Sequence, residues 1–167
     1  MALSALIAIS PVDGRYAGKV DSLRPLTSEA GLIHHRVKVE LAWIKHLAAC
    51  PEIPELGPFS PEALTFLEQI DRNWSLADAE AVKTHERVTN HDVKAVEYFL
   101  KDRFAELPEL SAISEFIHFA CTSEDINNLS HGLMLRGSRD QVVLPLIDRL
   151  IDTLTTQAHT LAEQSML

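Results

Sequence analysis

The chain has 167 residues, 46% of them hydrophobic and 23% charged, with a formal net charge of −9. That length suits one sizeable domain. So acidic a chain is a poor general binder of nucleic acid or of anionic membrane, although a few well-placed cations and backbone N–H groups could still hold a small anion.

Only 6 glycines occur, while Ala, Leu, Ile and Glu are plentiful, a mix that favours helix over sheet. Cys50 and Cys121 do not make a disulfide framework, and a reducing compartment is the simplest setting. The opening MALSALIAIS lacks the basic start of a secretory signal and predicts an extended segment packed on the body. No run approaches the ~20 apolar residues needed to span a bilayer.

Residues 1–25 are predicted to be irregular, with a turn at Asp13-Gly14 inside SPVDGRY. Ser28 is placed to cap a helix reaching about Ala49, with Ile33, Val37, Leu41, Ile44 and Ala48 on its apolar stripe. Arg36 and Glu40, one turn apart, predict an ion pair along that helix. The Pro-rich stretch 50–62 ends it, and Ser60-Pro61 supplies a cap and a first-turn proline for a short helix burying Leu64, Leu67 and Ile70. Ser75 caps another helix through the mid-80s.

Thr89 or Asn90 is expected to cap the next helix, with Val93, Val96, Leu100, Phe104 and Leu107 on one face and a Glu97–Lys101 pair on the other. Pro108 ends it, and a further helix is expected over Ser111–Phe119. CTSEDINN (121–128) opens the last section, capped by Thr122 or Ser123, with Asp125 three residues after Thr122 as in a loose capping box. An apolar stripe begins at Ile126, Leu129 and Leu133, breaks near Gly137, and resumes at Ile147, Leu150, Leu154 and Leu161. It is still running at AEQSML, which predicts further helices beyond this sequence. There is no repeat, no low-complexity tract and no alternating strand pattern.

Three polar clusters could hold a ligand. Arg15 and Tyr16 sit in a turn, where a guanidinium can present its fork to phosphate or carboxylate. Asn90, His91 and Asp92 fall at a helix start, where free N–H groups favour anions, though capping alone would also explain them. Thr122 and Ser123 cap the later helix, which leaves Asn127, Asn128 and His131 unexplained. Metal binding is poorly served: His118 and Cys121 lack a second ligand pair, and His34 and His35 point to different helix faces. No P-loop, GxGxxG or nucleophile elbow is present.

Taken together, SPVDGRY, TNHDVKAVEYFL and SEFIHFACTSEDINNLSHGLML closely resemble the adenylosuccinate lyases of bacterial purine synthesis, within the fumarase/aspartase superfamily. The resemblance implies an all-α fold, with an N-terminal helical domain over 1–111 and the first part of a central long-helix bundle over 112–167. It implies β-elimination of fumarate from adenylosuccinate, giving AMP, and from SAICAR, giving AICAR. A base removes a proton beside a carboxylate, an acid protonates the leaving nitrogen, and fixed donors stabilise the aci-carboxylate between. No metal or organic cofactor is implied. The expected setting is a cytoplasmic homotetramer with no nucleic-acid or membrane partner.

By that resemblance the substrate-binding residues are Arg15, Tyr16, Asn90, His91, Asp92, Thr122 and Ser123, with Arg15 and Tyr16 toward the phosphate. His91 has a supporting catalytic role second to binding. The family's acid/base histidine, in a Thr-His-Gly-Gln segment, and its serine base both lie beyond this sequence, so residues 1–167 alone are predicted to be inactive. Alternatives are another lyase of the superfamily, acting on argininosuccinate or a carboxymuconate, and a non-catalytic helical assembly module. The SPVDGRY start argues against the first of these.

Overall fold

A computed structural model describes residues 4–165. The described residues are helices and turns, without a strand. In order, the helices are α1 (Arg24–Thr27), α2 (Glu29–Ala48), α3 (Pro61–Arg72), α4 (Leu76–Thr89), α5 (Asp92–Phe104), α6 (Pro108–Ser111), α7 (Ser123–Ser138) and α8 (Leu144–Thr160). The chain divides into two compact units, Ser28–Met134 and the pair Met1–Thr27 with Leu135–Leu167.

The Ser28–Met134 unit is built on α2. Its N-cap is Ser28, whose Oγ accepts the Gly31 N–H, satisfying one of the first-turn donors that no helical carbonyl can reach. Ser60 does the same for α3 through the Ala63 N–H, with Pro61 in the first turn. Ser75 and Asp78 form a capping box on α4. The core joins Ile33, Val37, Leu41 and Ile44 of α2 to Ala63, Leu67 and Ile70 of α3, Ala79 and Val82 of α4, and Val96, Phe99, Leu100 and Phe104 of α5. On α3 the buried residue of the first turn is Ala63, and Leu64 is exposed, so the buried face is set one position earlier than the leucine pattern suggests.

Other expectations are corrected here. Thr89 and Asn90 do not cap α5. Thr89 is the last residue of α4, and Asn90 ends that helix in the left-handed region (φ 51°, ψ 33°), which asparagine tolerates better than most residues. The expected Glu97–Lys101 pair does form (3.4 Å), and Glu97 is itself buried, with Lys94 on its other oxygen at 2.7 Å. Ser111–Phe119 is not one helix: α6 ends at Ser111, and a 3₁₀ turn over Ser114–Phe116 follows. His118 and Ala120 then take positive φ, 63° and 59°, which ends any regular helix before Cys121. On α7, Ile126, Ser130 and Met134 are buried while Leu129 is exposed.

In the other unit, residues 4–23 make tight turns and 3₁₀ segments. The opening segment is not extended: Ala5–Ile7 form a 3₁₀ turn capped by Ser4, and Leu6, Ile7 and Ile9 are exposed. That expectation also covered residues 1–3, which lie outside the described residues. Gly14 is buried in the following turn, where a Cβ would meet the Ala5 carbonyl oxygen at 2.9 Å. Leu26 packs against Gly137, 3.1 Å from where a Cβ would stand. The break expected near Gly137 is found there: α7 ends at Ser138 and a π-helical turn over Arg139–Val143 follows. It precedes Pro145, which has no N–H to give to the preceding turn. Along α8, Ile147, Leu150, Ile151 and Leu154 are all exposed. Among the described residues no helix is long and apolar enough to cross a membrane.

Candidate functional site

The start of α5 carries the second polar cluster. Its N-cap is His91, whose Nδ1 accepts the Lys94 N–H at 3.2 Å. A nitrogen that accepts an N–H carries no proton, so in the neutral ring Nε2 bears the hydrogen. The exposed edge of His91 therefore offers a donor. Thr89 holds the link into the helix, since its Oγ1 donates to the His91 carbonyl (3.1 Å) and accepts the His91 N–H (3.3 Å). Asn90 is exposed beside it.

Asp92 is engaged on both oxygens. Oδ1 accepts the Val93 N–H at 2.9 Å, and Oδ2 accepts from Arg36 Nη2 at 2.6 Å. Partial burial works to raise the pKa of this carboxyl. The Arg36 guanidinium and the Val93 N–H outweigh burial and hold Asp92 below the usual aspartate range.

The start of α7 carries the third cluster. Asp125 Oδ2 accepts both the Thr122 N–H (2.7 Å) and the Thr122 hydroxyl (2.8 Å). The backbone bond first, and then the hydroxyl, hold Asp125 below its ordinary range. Thr122 is exposed and Ser123 half-buried at the free N–H end of a 16-residue helix.

The side chains that bring these two helix starts together were missed in the sequence. Arg36, on α2, is 6% exposed. Besides Asp92 it reaches α7, donating from Nε to Asn127 Oδ1 at 2.9 Å. One turn on, Glu40 is 2% exposed and accepts from His118 twice, from the backbone N–H at 3.2 Å and from Nδ1 at 2.6 Å. That bond to Glu40, opposed by burial, raises the His118 pKa above 6.5. Trp43 Nε1 donates to the Phe119 carbonyl at 2.8 Å. Two residues of α2, Glu40 and Trp43, thus anchor the left-handed turn that leads into Thr122, while Arg36 holds Asn127 beyond it. The expected Arg36–Glu40 pair is not formed, because each side chain has a better partner across the fold. Asn127 gains a role that capping could not give it, whereas Asn128 and His131 are exposed. The only sequence signal for this network was the presence of two charged residues beside an apolar stripe.

The structure therefore links the two helix starts through Arg36, which joins Asp92 to Asn127; Asn90 and His91 stand at one start and Thr122 and Ser123 at the other. Arg15 and Tyr16 belong to the other unit. Their turn is closed by backbone bonds from Gly14 N to Ser10 O (3.0 Å) and from Tyr16 N to Pro11 O (2.9 Å). Arg15 is exposed, has no ion pair among the described residues, and lies 4.8 Å from the Tyr16 ring. Its fork is thus uncommitted.

A family described as lyase matches residues 14–166. Among curated proteins, adenylosuccinate lyase of Escherichia coli (strain K12) is 59% identical over 152 residues, covering 91% of this chain and 33% of that protein. The enzyme of the same name from Vibrio cholerae is 57% identical over 159 residues, 95% of this chain and 35% of that protein. That of Legionella pneumophila (strain Corby) is 46% identical over 167 residues, 100% of this chain and 37% of that protein. The chain thus spans about a third of the length of the curated relatives it matches.

Proposed function

The chain belongs to this lyase family, and from that premise we propose that it is the N-terminal part of an adenylosuccinate lyase. The full-length protein releases fumarate from adenylosuccinate and from SAICAR. What supports this reading most directly is the pairing of two helix N-termini, those of α5 and α7, with Arg36 bonded to a residue near the start of each. The remaining first-turn N–H groups, the Ser123 hydroxyl and the Nε2 donor of His91 suit carboxylates and phosphate.

In this reading Asn90, His91, Asp92, Thr122 and Ser123 form one part of the substrate site, and Arg15 and Tyr16 receive the phosphate. His91 binds and orients, because its Nδ1 is occupied as a helix cap. Residues 1–111 form an N-terminal domain, and 112–167 begin a central bundle. The exposed apolar face of α8, from Leu144 to Leu161, supports assembly of that bundle in a cytoplasmic homotetramer. Proton abstraction and leaving-group protonation fall to residues outside this sequence, so residues 1–167 alone do not turn over.

The test is fumarate release from adenylosuccinate and SAICAR by the full-length protein. Arg15→Ala should raise KM by roughly tenfold to a hundredfold with little change in kcat, as loss of one charge-assisted contact to phosphate would. If KM and kcat are both unchanged, Arg15 is not a phosphate ligand.

A further inference from the structure

Asp92 poses an electrostatic problem. A carboxylate at the mouth of an anion-receiving helix start opposes the ligand the site is meant to hold. The structure meets this with Arg36, which is too deeply buried to reach a ligand itself. Its Nη2 lies 2.6 Å from Asp92 Oδ2 and its Nε 2.9 Å from Asn127 Oδ1, so a single rigid guanidinium cancels the charge at one helix start and fastens the other. The second Asp92 oxygen is occupied by the Val93 N–H, and the nearest other cationic candidate, His91 Nδ1, stands 3.8 Å away with its lone pair already used as a cap.

We propose that Arg36 is a positioning residue of the substrate site. It neutralises Asp92 and, through Asn127, fixes the start of α7 in register with that of α5. The inference rests on the reading that Asn90–Asp92 and Thr122–Ser123 receive an anionic substrate.

Steady-state kinetics of the full-length enzyme on adenylosuccinate test it. Arg36→Met leaves Asp92 as a bare carboxylate and should raise KM about tenfold or more, the scale of one unscreened like-charge contact, with kcat changed far less. Asp92→Asn, which removes the charge and keeps an acceptor, supplies the second background for the comparison. In the Asp92→Asn background Arg36→Met should raise KM severalfold less than in the wild type, because only the Asn127 arm is then lost, a coupling that a merely structural role for Arg36 would not produce.

An Arg36→Met effect on KM that is equal in the wild-type and Asp92→Asn backgrounds overturns the proposal. Should Arg36→Met fail to fold, Asn127→Ala cuts the second arm alone. It should raise KM with an unchanged circular dichroism spectrum, and an unaltered KM refutes the coupling. A wild-type enzyme that releases no fumarate would sink the functional reading and this inference together. An active wild type without that coupling would sink only this inference.

Discussion

The Glu40–His118 contact gives the sharpest test of how the α7 start is held. Glu40 is essentially buried and accepts two hydrogen bonds from a residue whose own backbone is left-handed (φ 63°). Replacing it by leucine keeps the apolar bulk and removes both acceptors. Bonds to a charged group contribute about 1.5–3 kcal/mol each, and the two share one carboxylate, so the local cost should be about 3 kcal/mol. At about 1.4 kcal/mol per decade, that is roughly a hundredfold loss of protection for the His118 amide.

Hydrogen exchange on the full-length protein, read in peptides covering 117–122, would measure it. Glu40→Gln, which retains one acceptor, should fall between. The contact should also depend on pH. His118 has a folded pKa above 6.5, raised chiefly by its bond to Glu40, so the charged pair contributes fully below the unfolded value. That contribution fades as pH rises through the folded pKa. Glu40→Leu should abolish this slope. Protection within about twofold of wild type would show that the left-handed turn is held by something other than Glu40.

Other expectations follow from single residues. Asn90→Gly should leave thermal stability nearly unchanged, because glycine accepts positive φ at no steric cost, while KM rises; a matching KM would remove Asn90 from the substrate site. Ser60→Ala loses the bond to the Ala63 N–H and the hydroxyl contact to Glu109, and should lower stability by about 1 kcal/mol in denaturant unfolding. A change below a few tenths of a kcal/mol would contradict that cap. Cys121 has its thiol pKa raised by burial first and then by the Glu40 and Asp125 carboxylates. It should react with iodoacetamide at neutral pH more slowly than a free cysteine, and an equal or faster rate would refute that environment.

Much of the helix layout could be read in advance because its signals are local. Ser28, Ser60-Pro61 and Ser75 announce helix starts within four residues of where they act. The resemblance placed the chain in an all-α lyase family, and the matching profile and the helical structure agree. Prediction failed where a partner lay far along the chain. Arg36 and Glu40 were read as each other's neighbours because their true partners are distant in sequence. His91 was passed over as a cap in favour of Thr89 or Asn90, since a ring nitrogen accepting an N–H is a rarer device than a hydroxyl or amide. Leu64 and Leu129 are exposed because helical phase is set by the whole buried face and not by where leucines occur.

The reach of α2's polar contacts has a consequence for how the protein is made. Arg36 bonds to residues 56 and 91 positions later, and Glu40 to one 78 positions later. Contacts that close such long loops must pay chain entropy before they reward it, whereas local contacts need not, so they form late. On the ribosome, α2 emerges with a guanidinium whose first partner is residue 92 and a carboxylate whose partner is residue 118, and the set is complete only once the chain has grown past residue 127. The apolar stripe of α2 can begin to bury itself against α3 and α4 well before that. The binding face therefore matures after the core beneath it, and a stalled or prematurely released chain would carry the scaffold without the site.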